Sequence, residues 1–127
     1  RAGPVATTGR VFFGPTPPVV VASATTTQPP PAKYAAGTYL GCFNDPNNPF
    51  DLDGHLERSQ ANTPQRCLQI CANFGFAYAG VQYSESCLCG NSFGNHGAAD
   101  RCTMPCTGDP GQICGGINAN SVYATGR

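Results

Sequence analysis

The sequence predicts a small α+β domain closed by disulfides and preceded by an extended Pro/Thr-rich arm. Three observations predict it. All eight cysteines lie between Cys42 and Cys114. Residues 1–38 hold seven of the twelve prolines and no acidic residue. Between the cysteines, one helix signature is followed by strand patterns of period two. An even cysteine count fits four disulfides with no thiol left for chemistry, and such bridges persist outside the cytosol. A unit of this size is near the limit of what an apolar core alone can hold. Each bridge typically adds ~2–4 kcal/mol by restricting the unfolded chain.

The arm, residues 1–38, comes first, and its plain reading is a solvated linker. Its run Ala24-Thr25-Thr26-Thr27-Gln28-Pro29-Pro30-Pro31 favours an extended, polyproline-like chain, because proline fixes φ and lacks an amide donor. Hydroxyls beside proline in a secreted chain suit O-glycosylation, at Thr7, Thr8, Thr16, Ser23, Thr25, Thr26 and Thr27. No Asn-x-Ser/Thr sequon occurs. Val11-Phe12-Phe13 and Val19-Val20-Val21 are apolar patches that a purely solvating linker does not need. They suit an arm that docks on another copy by adding a strand to a sheet edge. Val5-Ala6-Thr7-Thr8-Gly9-Arg10 also echoes Val122-Tyr123-Ala124-Thr125-Gly126-Arg127, as in one unit of an array. The chain begins with Arg1, which reads as a mature or excised piece of a secreted precursor.

The domain proper is expected over 39–124. Thr38-Tyr39-Leu40-Gly41-Cys42-Phe43 alternates like a first strand, and Asn44 to Pro49 is turn material. Thr63-Pro64 starts a helix: Thr63 caps it, and Pro64 loses nothing at the first helical position. That helix runs through Cys67-Leu68-Gln69-Ile70-Cys71-Ala72-Asn73-Phe74 and stops at Gly75, with Cys67, Cys71 and Phe74 on one face. Phe74, like Phe43, is expected in the core. Ala77 to Tyr83 is a strand pattern, and Ser84-Glu85-Ser86 turns into Cys87-Leu88-Cys89. Residues two apart in a strand point the same way, so Cys87 and Cys89 share a face. At least one bridge should join the Cys67/Cys71 pair to the Cys87/Cys89 pair; the full connectivity is open. Cys102 and Cys106 flank Met104-Pro105 in Gly/Pro-rich loop sequence, and Asn120 to Ala124 is a final strand placed to pair beside the first.

Charge narrows the function classes. Seven basic and seven acidic residues give a formal net charge of zero, which offers no footprint for nucleic acid or an anionic membrane. Neutral polysaccharide, or other copies of the chain, suits such a surface. The longest apolar run, Val19-Val20-Val21-Ala22, is far too short to span a membrane.

Tyr39-Leu40-Gly41-Cys42-Phe43, Thr63-Pro64 with Cys67 and Cys71, and Tyr78 to Tyr83 form a recognisable series. Cys87-Leu88-Cys89-Gly90-Asn91, Cys102 with Cys106 and Gly108, Cys114-Gly115-Gly116 and Val122-Tyr123 complete it. The series resembles the WSC domain over 39–124, with all eight cysteines in order. The resemblance implies a PAN/apple-like fold with a helix on an antiparallel sheet and four disulfides. It also implies an extracellular, wall-associating or carbohydrate-binding module. Leu88 stands where the family often carries an aromatic residue. In the family's stress sensors a Ser/Thr-rich stalk follows the domain, whereas here the arm precedes it.

The candidate sites follow from these readings. The glycan-binding candidates are Tyr78, Tyr83, Phe93 and Phe50 as stacking groups, with Asn44, Asp45, Gln82, Asn91 and Asn95 as hydrogen-bonding neighbours. Cys42, Cys67, Cys71, Cys87, Cys89, Cys102, Cys106 and Cys114 are assigned to disulfides rather than to a metal, and no cofactor is expected. His55 and His96 are the only histidines, and Asp51, Asp53 and Glu57 read as solvated charges near His55. No nucleophile or phosphate-loop motif accompanies them, so an enzyme is not expected. The expectation is an extracellular or cell-wall WSC module that binds polysaccharide without catalysis. The alternative is a structural subunit of a secreted filament, assembled through its O-glycosylated arm.

Overall fold

Among the described residues, five short strands and one helix account for the regular structure. The computed structural model describes residues 32–46 and 49–127, and the compact unit runs Ala32–Arg127. The glycosylation candidates and apolar patches of residues 1–31 lie outside the described residues.

In chain order the elements are β1 (Tyr39–Asn44), β2 (His55–Arg58), α1 (Pro64–Asn73), β3 (Tyr78–Gln82), β4 (Ser86–Gly90) and β5 (Ala119–Ala124). The sheet is antiparallel throughout, with strand order β1-β5-β3-β4-β2. The last strand therefore pairs with the first, as its alternation suggests, and also with β3. The outer edge of β1 is covered by a loop: Asn44 N donates to Gly97 O at 2.9 Å and Ala99 N to Cys42 O at 2.9 Å. A covered edge offers no template for stray strand pairing.

Helix α1 shows its start and stop signals in full. Thr63 is extended, and its Oγ1 accepts from Arg66 N at 3.1 Å, with Pro64 in the first turn. At the other end Gly75 takes φ +87°, which lets Gly75 N reach Ala72 O and Phe76 N reach Cys71 O. That double closure is the Schellman arrangement, which favours glycine because a side chain resists the left-handed region.

The helix lies on β3 and β4. Cys67, Cys71, Ala79, Val81, Cys87 and Cys89 are buried between them, together with Cys106 and Cys114. Two bridges staple helix to hairpin, Cys67–Cys87 and Cys71–Cys89. Both are the crossing that the helical spacing of four and the strand spacing of two allow. Cys42–Cys102 and Cys106–Cys114 tie down the long loop segment between β4 and β5. The sulfurs of Cys67, Cys71 and Cys87 lie within 4.8 Å of one another because the two staples sit side by side. Each is already covalently bonded, so the cluster has no lone thiolate to offer an ion.

Phe74 departs from expectation: it is 60 % exposed rather than core. It is the C-cap residue, where the chain leaves the helix axis, and its ring lies against His55 at 4.4 Å between centroids. The opposite sheet face buries Leu52, Leu88 and Val122, with Leu40, Phe43, Phe50, Leu56, Tyr78 and Phe93 packed around them. Phe43 is part of this second core, as expected. Leu88 points here while its neighbours Cys87 and Cys89 point to the helix, as the period of two requires.

Candidate functional site

The loops crossing the second face are organised by two buried carboxylates. Asp51 accepts from Gly94 N at 2.8 Å, Asn95 N at 2.9 Å and Asn95 Nδ2 at 3.0 Å, which joins the loop before β2 to the loop after β4. Asp45 accepts from Asp51 N at 2.7 Å and from Asn120 Nδ2 at 2.8 Å. Burial pushes the Asp45 carboxyl above its ordinary value of 3.8, and the hydrogen bonds from Asp51 N and Asn120 only partly offset that. Asp51 is thus an organiser of structure, not one of a set of solvated charges.

Most of the sugar-binding candidates are engaged within the fold. Tyr78 and Phe43 meet Phe93 edge-on, at centroid distances of 4.7 and 5.0 Å. Asn44 donates through Nδ2 to His96 O and Ala98 O, and its Oδ1 accepts from Arg101 Nη2 at 2.8 Å. Asn91 is exposed, but its Oδ1 accepts from Ala77 N at 2.9 Å and fastens the ends of two strands. Asp45 and Asn95 belong to the carboxylate network. His55 Nε2 lies 3.1 Å from Glu57 Oε1, and Arg66 Nη2 lies 3.3 Å from Glu57 Oε2, so that charge cluster is paired within itself.

Tyr83 differs. It opens the β3–β4 hairpin turn, is 52 % exposed, and has φ 50°; Ser84 follows at φ 64°. Two consecutive side-chain-bearing residues in the left-handed region are uncommon, and such strain persists only where neighbours hold it. Here Ser84 O accepts from Thr107 N, Thr107 Oγ1 and Asn62 Nδ2, while Ser84 N donates to Cys114 O. The turn is held from several sides and projects the Tyr83 ring outward.

A second turn faces the same end of the sheet. Gly115, at φ +70°, sits where a Cβ would collide with Val81 O, which explains why glycine follows Cys114. The chain then runs through Ile117 and Asn118 into β5. Arg101 donates from Nε to Ile117 O at 3.1 Å and from Nη2 to Asn118 O at 2.9 Å, fixing this turn as well. Between the two turns lies a groove of about 300 Å³. Phe50, Leu56 and Leu88 supply its apolar lining; Gln82, Tyr83 and Asn118 are among its polar and aromatic residues. Arg58 and Glu85 bring one charge of each sign. Gln82 is only 6 % exposed, and its Oε1 has no hydrogen-bond partner among the described residues.

Of the sequence-derived candidates, the groove brings together Tyr83, Gln82 and Phe50. It adds Ile117 and Asn118, which carried no signal beyond their place after a Gly-Gly pair.

This architecture is a disulfide-stapled helix on an antiparallel sheet, with loops covering the far face. A sequence profile described as the WSC domain matches residues 39–116, and the chain belongs to that family. The family's modules are generally extracellular and carbohydrate-associated. Over 97 residues, 73 % of the chain, it is 35 % identical to a protein named Xylosyltransferase oxt of Drosophila melanogaster, covering 11 % of that protein. Over 89 residues, 67 % of the chain, it is 39 % identical to human Kremen protein 2, covering 19 % of it. A WSC domain-containing protein of Arthroderma benhamiae is 39 % identical over 94 residues, 68 % of the chain and 10 % of that protein. The chain thus spans between a tenth and a fifth of the length of these relatives. No helix among the described residues is long and apolar enough to cross a membrane.

Proposed function

We propose that this chain is a non-catalytic extracellular module that associates with cell-wall or matrix polysaccharide, and that it does so at the groove beside Tyr83. The observation that carries the reading is an exposed tyrosine ring held at the mouth of a recess with an apolar lining and polar edges. Sugars present apolar C–H faces and hydroxyl edges, so they suit an aromatic platform with amide neighbours. Leu88 extends that apolar lining, and the aromatic surface comes from Tyr83 at the mouth instead. The family's carbohydrate association supports the reading. So does the name of the xylosyltransferase relative, a protein whose chemistry concerns sugar. The non-catalytic part rests on the sequence, whose two histidines have no nucleophile motif beside them.

Retention of the chain on insoluble glucan, mannan and xylan tests this. The wild type is expected to be retained by at least one of them. Tyr83→Ala, with an unchanged melting temperature, is expected to bind about tenfold more weakly, in line with the worth of a good aromatic contact. A tandem of two copies that washes through all three matrices would contradict the proposal.

A further inference from the structure

We infer that the groove receives a neutral sugar at a chain end or branch, read by the Gln82 amide, rather than the flat side of a continuous chain; this rests on the polysaccharide reading above. Gln82 is the observation that goes beyond a sticky surface. Its side chain lies on the groove wall, 6 % exposed, with Oε1 buried and unpartnered among the described residues. Buried amide oxygens are almost always hydrogen-bonded, and an orphan needs a donor from outside. A sugar hydroxyl is such a donor: Oε1 is closed to solvent as it stands, so the hydroxyl reaches it when the amide turns, and otherwise accepts from the amide N–H.

Shape and charge narrow the ligand further. About 300 Å³ is at the small end of ligand pockets, which suits a protruding ring or two better than a long chain laid across a surface. Tyr83 at 52 % exposure and Ile117 at 62 % stand on either side and flank a group entering between them. Arg58 and Glu85 offset each other, so the groove has no formal excess of charge to select an acidic or basic sugar. Both turns that form it are held by the hydrogen bonds of Asn62, Thr107 and Arg101. A site fixed in advance loses little on binding.

The test uses the full chain on the polysaccharide that retains it, with short gluco-, manno- and xylo-oligosaccharides as soluble competitors. Matching short oligosaccharide should release the wild type and shift the Gln82 side-chain amide resonances. Gln82→Met, which keeps the volume and removes the orphan oxygen, should melt no lower than wild type yet bind about tenfold more weakly. If the wild type is retained but no short oligosaccharide releases it, or the Gln82 amide resonances stay still, this inference is overturned and the polysaccharide reading stands. Unchanged binding by a folded Gln82→Met has the same consequence. If Gln82→Met does not fold, the amide resonances of the wild type decide alone. A wild type retained on no polysaccharide overturns both.

Discussion

The two faces of the sheet are built from different chemistry. The helix face is sulfur and small apolar groups: Ala79 and Val81 beneath two parallel staples, with Cys106 and Cys114 at its margin. The far face is aromatic and aliphatic residues roofed by loops, and those loops are held by Asp45, Asp51, Asn44 and Arg101. Covalent closure on one side supplies much of the stability. The other side can therefore keep strained turns at Tyr83 and Ser84 and an unpaired amide at Gln82. The groove sits on the face that the staples do not fill.

Breaking the first side has the largest expected effect. Replacing Cys71 and Cys89 together by alanine should cost about 2–5 kcal/mol, the usual worth of a native bridge in a small secreted domain. Denaturant unfolding of the variant against wild type measures it, and a loss below about 1 kcal/mol would show that the apolar packing of α1 carries that face instead. Next comes Asp51→Ala, which leaves Gly94 N, Asn95 N and the Asn95 amide without their acceptor. A cost of about 2–3 kcal/mol is expected, read as a lower melting temperature. The far face should loosen first, visible as faster amide exchange at residues 94 and 95 while β4 stays protected.

The smallest effect is on pH dependence. Because burial raises the folded-state value of Asp45, the folded protein binds that proton more tightly than the unfolded chain does. The contribution is present at acid pH and is lost as pH rises through the raised value. Asp45→Asn removes that loss. Asn120 can turn its amide so that Oδ1, which has no partner among the described residues, accepts from the new amide. The variant's melting temperature, relative to wild type, should therefore improve between about pH 4 and pH 7. A relative melting temperature that falls over that range would place the dominant influence on Asp45 elsewhere.

Much of the helix face was legible in the sequence, because its rules are local. A threonine cap, a proline after it, cysteines four apart in a helix and two apart in a strand, and a glycine stop all act within a few residues. The far face was not, because what covers it comes from distant parts of the chain. Period two places Tyr78 and Leu88 on one side, but nothing local says that residues 43, 50 and 93 will bury them. Strand β2, His-Leu-Glu-Arg, has no β-branched residue and becomes a strand through its pairing with β4. Asn44 and Asp45 read equally well as sugar contacts or turn formers. Their engagement by Arg101 and Asn120 shows only when segments 57 and 75 positions apart meet. Phe74 keeps the helical phase of Cys67 and Cys71, but phase does not say what stands opposite: at the helix end it meets His55 of β2 rather than the buried cysteines.

Residues 36–38 lie beside the end of β5: Gly37 N donates to Ala124 O, Ala124 N donates to Thr38 O, and Gly126 abuts Ala36. The polypeptide therefore enters and leaves this body at one point, through two antiparallel neighbours. Tension applied through both leads would act like fingers on a zip, opening the β1–β5 ladder rung by rung rather than shearing it all at once. The Cys42–Cys102 bridge lies a few rungs in, opposite Ser121, and acts as the stop. Under load the module can pay out a short length of chain at its entrance while the groove at the other end of the hairpin keeps its shape.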